Sequence, residues 1–400
     1  MRIAMVSEHA SPLSALGHGI LGNVDAGGQN AHVAALAAEL TAQGHEVRVY
    51  TRRDAADLEP VVSAAGFDVV HVPAGPATEL PKDELLPFMG EFAEWMADDW
   101  RTRWKPDVAH AHFWMSGLAA VTAGRLCDVP VVQTFHALGT VKRRHQGAAD
   151  TSPAHRVAYE RRLGRVVDRV VVQCHDEIRE LLRMGVPRAR MTLVPSGVDT
   201  GRFSPDGPAA PRTPGRKRIL TVGRLVERKG FADLIRALPL IPGAELVIAG
   251  GPEENAGKLR KLADRCKVGE RVRLIGAVRP ADMPCWYRSA DVVAAAPWYE
   301  PFGLTPLEAM ACGVPVVGTA VGGLIDTVVD GVTGDLVPPH DPKSLARALR
   351  RLLGDEMRRM SYAAAAVERA EVSYSWPRIA ARLTATYGAV AGLDLTREAA

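Results

Sequence analysis

Residues 297–313 read PWYEPFGLTPLEAMACG and follow the apolar run VVAAA at 292–296. Five consecutive small or β-branched apolar residues, stopped by a proline, predict a strand buried on both faces. A carboxylate, Glu300, stands just past its end, and a helical pattern begins a few residues later. Strand, loop and helix in this order form the working half of a βαβ unit. The unpaired amides expected around Phe302, Gly303, Leu304 and Thr305 suit an anion or a sugar hydroxyl. Glu300 can accept hydrogen bonds from hydroxyls, and Glu308, on the helix, can accept a bidentate pair from a vicinal diol. Glu308 also has a purely structural reading, since Thr305 and Glu308 share capping-box spacing with Pro306 at the first helical position.

The same alternation of apolar run and amphipathic helix extends in both directions. Strands are expected at 219–222, 245–249, 272–275, 314–317 and 335–337 in the second half of the chain. In the first half they are expected at 2–6, 47–50, 69–72, 108–111, 131–134, 170–173 and 192–194. Between the halves, residues 201–217 are rich in Pro, Gly, Ser and Arg and read as a linker. The fold class is therefore α/β, with two Rossmann-like doubly wound parallel-sheet domains facing a cleft: an N-terminal domain 1–198 and a second domain 199–372. A last helix within 373–400 either caps the second domain or crosses back to the first.

Composition narrows the function classes. The 400 residues exceed one ordinary core, and a formal net charge of +3 without charge blocks gives no footprint for nucleic acid. Five scattered cysteines without CxxC spacing read as reduced thiols of a cytoplasmic protein. No apolar stretch is long enough to span a bilayer, and the short opening strand is no signal peptide. A homodimer is compatible with the chain, whose oligomeric state is not legible. The aromatic residues Phe88, Phe92 and Trp95 recur at helical spacing opposite an acidic face, which fits core packing better than a membrane surface.

Two further segments carry chemistry. TVGRLVERKG at 221–230 ends a strand with Gly223 and then supplies Arg224 and Lys229 beside a helix start. These cations either neutralise a diphosphate or are solvated surface charges. In the first half, DAGGQN at 25–30 joins the first strand to a helix over 31–43. It lacks the GxGxxG fingerprint, so a nicotinamide dinucleotide is not expected. His110 and His112 lie at the end of a strand, and His136 follows the next. His110 reads as a hydrogen-bonded core residue. No third ligand accompanies these histidines at fixed spacing, and there is no Asp-x-Asp motif, so no metal site is expected.

Taken together, the segments at 221–230, 297–313, 321–324 (VGGL) and 330–334 (DGVTG) resemble retaining glycosyltransferases of the GT-B fold, in glycosyltransferase family 4. The resemblance covers essentially the whole chain. It implies that Arg224 and Lys229 hold the donor diphosphate, that Glu300 meets the transferred sugar and Glu308 the ribose, and that Gly223 and residues 302–305 line the donor site. It departs at Ile325-Asp326, where many members carry Pro-Glu. The DAGGQN form resembles the branch holding sucrose-phosphate synthases and the mycothiol-pathway inositol-phosphate transferase. In that branch Gly27 and Gly28 face the diphosphate, and Asp25 and Asn30 lie toward the acceptor. His136 matches a histidine beside the anomeric centre, His112 another site histidine, and Lys82 and Arg156 two phosphate ligands of the acceptor. Phe113 and Ala137 replace the tyrosine and threonine hydroxyls used there, so the acceptor is expected to be a small polyol, cyclitol or sugar whose phosphate is absent or differently held.

The resemblance further implies transfer of a hexosyl or N-acetylhexosaminyl group from a nucleotide diphosphate sugar, UDP favoured. It implies retention without a protein nucleophile, and neither cofactor nor essential metal. Arg224, Lys229, Glu300 and His136 then carry the catalysis. The rival readings are a nucleotide-sugar epimerase on the same fold and a non-catalytic sugar-nucleotide-binding protein.

Overall fold

The computed structural model describes residues 1–16 and 28–393. The chain forms two compact units: Met1–Gly197 joined by the chain from Trp376 onward, and Val198–Ser375.

The first unit is built on eight strands: β1 (Arg2–Val6), β2 (Glu46–Arg52), β3 (Val61–Ala64), β4 (Phe67–Val72), β5 (Val108–His112), β6 (Val131–Thr134), β7 (Arg169–Val172) and β8 (Met191–Leu193). Their order is β3-β4-β2-β1-β5-β6-β7-β8. Every neighbouring pair is parallel except the edge hairpin β3–β4. That hairpin turns on Ala65 and Gly66, both at positive φ (50° and 87°). Two-residue turns of this hand are usually announced by Asn-Gly or Asp-Gly. Ala-Gly gives no such signal, and β3 is half exposed, so the sequence did not reveal it.

The second unit holds β9 (Lys217–Val222), β10 (Ala244–Ala249), β11 (Val272–Gly276), β12 (Val292–Ala295), β13 (Val316–Thr319) and β14 (Gly334–Val337). All are parallel, in the order β11-β10-β9-β12-β13-β14. Separate apolar cores built around Ile219, Leu246, Val292 and Leu349 and around Leu220, Val293, Leu307 and Tyr374 explain why its strands read as unbroken apolar runs. One expected strand shifts: Pro315 has no N–H to offer a ladder, and β13 begins at Val316 instead of residue 314.

The segment read as a linker is folded onto the second unit. Ala210 N–H donates to Cys285 O (2.9 Å), and Arg288 Nε donates to Pro208 O (2.8 Å). Buried Arg218 donates to Pro211 O (2.8 Å) while its Nε bonds Glu245 at 2.7 Å. Low periodicity misled here because the segment is held by backbone carbonyls meeting arginines, which leaves no hydrophobic pattern. The chain leaves the second unit through the helix Glu356–Tyr374, and the next helix, Trp376–Ala391, belongs to the first. Trp376, Ile379, Leu383 and Tyr387 are buried there with Val33, Leu36 and Leu40.

The first unit also holds a cluster of four histidines. His110 Nδ1 lies 2.6 Å from the Tyr387 hydroxyl and Nε2 2.8 Å from Thr134 Oγ1, as its core reading anticipated. His32, on the helix Gly28–Ala42, bonds Ser196 Oγ through Nδ1 (2.7 Å). His112 Nδ1 and His136 Nε2 are 2.9 Å apart. Burial first, and neighbouring histidines where they act, depress these imidazoles: His32 to about 4, His110 to about 3, and His112 and His136 well below the usual value of 6.5. The unfolded chain takes up protons near pH 6.5 and the folded chain refuses them, so stability falls as pH drops below that value. The slope is about 1 kcal/mol per histidine per pH unit. Urea unfolding at pH 7.5 and pH 5.5 should therefore show a stability loss of roughly several kcal/mol at the lower pH; coincident midpoints would contradict the buried neutral cluster.

Candidate active site

In the second unit the strand order reverses between β9 and β12. Ligands of such sheets bind at the carboxyl ends of the strands at this kind of reversal. After β9 comes Gly223, then exposed Arg224, then a single 3-10 turn, Glu227–Lys229. Gly230 ends the turn at φ +69°, and a Cβ there would stand 1.8 Å from Ala296 O. Only glycine lets the two loops come this close. Trp298 N–H then donates to Arg228 O (2.8 Å) and Arg228 Nη1 to Tyr299 O (3.2 Å). These bonds stitch the two loops together.

The result is a charged constellation. Lys229 Nζ lies 2.5 Å from Glu300 Oε2, and Arg228 Nη1 lies 3.7 Å from the same oxygen. Burial acts to raise the Glu300 carboxyl, but Lys229, Arg228 and Arg224 outweigh it and hold the group below the usual carboxylate range. From the other side, Gly323 N–H donates to Glu300 O (3.0 Å). Gly322, at φ +48°, would place a Cβ 2.1 Å from that oxygen. The glycine pair read from 321–324 thus sets the Glu300 backbone. Arg228 was missed from sequence, although it sits in the quoted run; its reach to Glu300 depends on the loop contact.

Gly303, at φ +94°, is the N-cap of the helix Leu304–Ala311. Thr305 is therefore the second helical residue and Pro306 the third, so Thr305 and Glu308 do not form a capping box. Glu308 Oε2 instead accepts from the Tyr287 hydroxyl (2.6 Å), and burial raises its carboxyl. Phe302 is buried in the unit's core, while Leu304 and Thr305 are half-buried at the helix start.

In the first unit the corresponding reversal lies between β1 and β5. Asp25 and Gly27 lie outside the described residues. Gly28 opens the helix Gly28–Ala42 and is exposed; Asn30 is buried, donating to Ser14 Oγ (2.7 Å). Gln29 reaches Ser7 Oγ (3.2 Å) and His112 O (3.3 Å), tying that helix to the ends of both strands. Glu8, just past β1, is buried; it receives a hydrogen bond from Ser116 Oγ and lies 2.8 Å from His9 Nδ1. The carboxylate-after-strand signal that singled out Glu300 was available at Glu8 and was not applied to the first half.

His112 ends β5, and His136 follows β6 at φ +59°. A non-glycine residue in this conformation is held there by its surroundings. Both belong to a cluster that also contains His32, which spacing along the chain could not have revealed. Phe113, at φ +82°, is buried under Arg156, whose guanidinium lies 4.9 Å from the ring centre. Arg156, matched by the resemblance to a phosphate ligand of the acceptor, is tied into the first unit. It is 2% exposed, its Nε bonds Glu160 at 2.7 Å, Nη1 donates to Ser152 Oγ (3.1 Å) and Nη2 to Ala137 O (2.6 Å). Lys82 is half-buried and opens the turn Lys82–Glu84, whose Asp83 accepts from Thr151 Oγ1 (2.6 Å). No helix among the described residues is long and apolar enough to cross a membrane.

Comparison with known proteins agrees with this geometry. The family model "Glycosyltransferase Family 4" matches residues 26–202, and "Glycosyl transferases group 1" matches residues 208–369. The chain is 38% identical to the D-inositol 3-phosphate glycosyltransferase of Xylanimonas cellulosilytica, covering 96% of each protein. It is 37% identical to the enzyme of that name from Kineococcus radiotolerans, covering 94% of this chain and 92% of the relative. Among solved structures it resembles sucrose-phosphate synthase from Thermosynechococcus elongatus, with a TM-score of 0.86 and 28% identity over 98% of this chain and 99% of the other. With two parallel-sheet units, a cationic loop and a carboxylate paired at a strand reversal, and relatives matching from end to end, the chain belongs to the family 4, group 1 glycosyltransferases of the GT-B fold.

Proposed function

We propose that this enzyme transfers a hexosyl or N-acetylhexosaminyl group from a UDP-sugar to an inositol-class cyclitol in the cytoplasm, with retention of anomeric configuration and no essential metal. The observation that carries the donor half is the meeting of Lys229, Arg228 and Glu300 at the β9–β12 reversal, with Arg224 on the same loop. A diphosphate leaving group gains negative charge as the glycosidic bond breaks. Fixed cations and helix-start amides, already positioned, stabilise that charge without reorganisation. Glu300, held ionised by its cations, is an acceptor for sugar hydroxyls, and Glu308 is placed by Tyr287 one turn into the helix. UDP is favoured by the family resemblance.

Retention follows a front-face route in this reading. The departing β-phosphate oxygen takes the acceptor proton on the side it leaves, so no protein nucleophile is needed. Gly223, Arg224 and Lys229 hold the diphosphate, and positioning supplies the rest.

The acceptor class is supported by the names of the relatives and by the first unit's polar residues. Phosphate recognition is supported less. Phe113 and Ala137 offer no hydroxyl, and Arg156 is bonded to Glu160, Ser152 Oγ and Ala137 O. Lys82 is then the main cation for an acceptor phosphate, and that phosphate should add little to turnover.

Lys229→Met should lower kcat/KM by about 10²–10³-fold, the scale of losing one preorganised stabiliser. Glu300→Gln should fall similarly while its melting temperature stays near the parent's; full activity in either variant would remove the donor assignment. With a panel of UDP-, GDP- and ADP-sugars in EDTA, product analysis by mass spectrometry and NMR should show retained configuration with a UDP-sugar. An inverted product would exclude the front-face route. Inositol and D-inositol 3-phosphate should differ by less than about tenfold in kcat/KM, equivalent to ~1.4 kcal/mol. A preference of several hundredfold for the phosphate would overturn the acceptor-side reading.

A further inference from the structure

The histidine cluster of the first unit includes His112 and His136, the two site histidines of the resemblance, and adds His32. His32, His112 and His136 come from three different elements, yet one ring nitrogen of each lies within 4.8 Å of the other two. Their chain positions, on a helix, at a strand end and in a loop, make this a product of the fold. We propose that this trio binds a zinc-class divalent cation, with imidazole nitrogens from His32, His112 and His136 as its ligands.

The donor set selects the ion. Three imidazoles without a carboxylate suit Zn²⁺, Co²⁺, Ni²⁺ or Cu²⁺, and are poor ligands for Mg²⁺ or Ca²⁺, which take oxygen. The reactive form is the neutral ring with a free lone pair. His32 is already oriented as a metal ligand would be: Nδ1 is engaged by Ser196 Oγ at 2.7 Å, which leaves Nε2 for the ion. His112 and His136 share one proton across 2.9 Å. An ion bound by both nitrogens moves that proton to a distal ring nitrogen.

The spacing requires only side-chain adjustment. Tetrahedral zinc with Zn–N bonds near 2.0–2.1 Å sets its ligand nitrogens about 3.3 Å apart. The observed separations bracket that value, from 2.9 Å for one pair up to the 4.8 Å limit. A fourth position remains for water or a substrate oxygen. Metal binding here is independent of the donor assignment. An oxygen-ligated ion accompanying a diphosphate would belong to the second unit and would not be held by three imidazoles.

The test uses the full-length protein stripped with chelator. Titration with Co²⁺ should produce the visible absorption of tetrahedral cobalt with one ion per chain, displaced by Zn²⁺ and unaffected by excess Mg²⁺. Isothermal titration with Zn²⁺ should give the same stoichiometry. Ser196→Ala, which removes only the orienting contact, should weaken binding by about tenfold. His32→Gln should abolish the cobalt spectrum, with circular dichroism checking its fold. Octahedral or absent cobalt bands in the parent protein, or unchanged binding in a folded His32→Gln together with unchanged binding in Ser196→Ala, would overturn the proposal.

Discussion

The Lys229–Glu300 ion pair is the interaction around which the second unit is arranged. A carboxylate with 15% of its side chain exposed, at the end of a buried strand, would be costly without compensation. Lys229 and Arg228 provide it, but only because two loops from neighbouring strands approach to within hydrogen-bonding distance. That approach depends on Gly230 facing Ala296 and on Gly322 and Gly323 facing Glu300 and Phe302. The glycines, the cations and the carboxylate are therefore one device. Their net charge is positive, with Arg224 added, which is the sign a diphosphate requires.

The first unit solves a different problem. Its histidine cluster is neutral at ordinary pH: four imidazoles lose their positive charge to burial. Buried charged groups of this unit are paired internally, as Arg156 is with Glu160 and Glu180 with Arg144. A site of this kind recognises hydroxyls through hydrogen-bond geometry more than through charge.

Much of the architecture was legible because parallel strands buried on both faces are unbroken apolar runs, and helices between them carry their own period. The edge strand Val61–Ala64 escaped because it is half exposed and its turn lacks the usual residues. Residues 201–217 escaped because they are held by arginine-to-carbonyl bonds, which leave no periodic trace. The candidate donor residues Arg224, Lys229, Glu300 and Glu308 could be picked out by their place after a strand or at a helix start. Glu8 obeyed the same rule and was passed over.

The succession of strands and helices along the chain, its division into two parallel-sheet units and the candidate donor groups were determined by the sequence itself, because each rests on short-range periodicity or on a residue's position at the end of an element. Partners were not. That Arg228 faces Glu300, that Arg156 is spent on Glu160 and Ala137, that Glu308 meets Tyr287 and that His32 joins His112 and His136 were decided by tertiary structure alone. These pairings join residues on separate elements, many of them far apart along the chain, and they depend on strand order and loop approach. No local pattern of residue types encodes such distances.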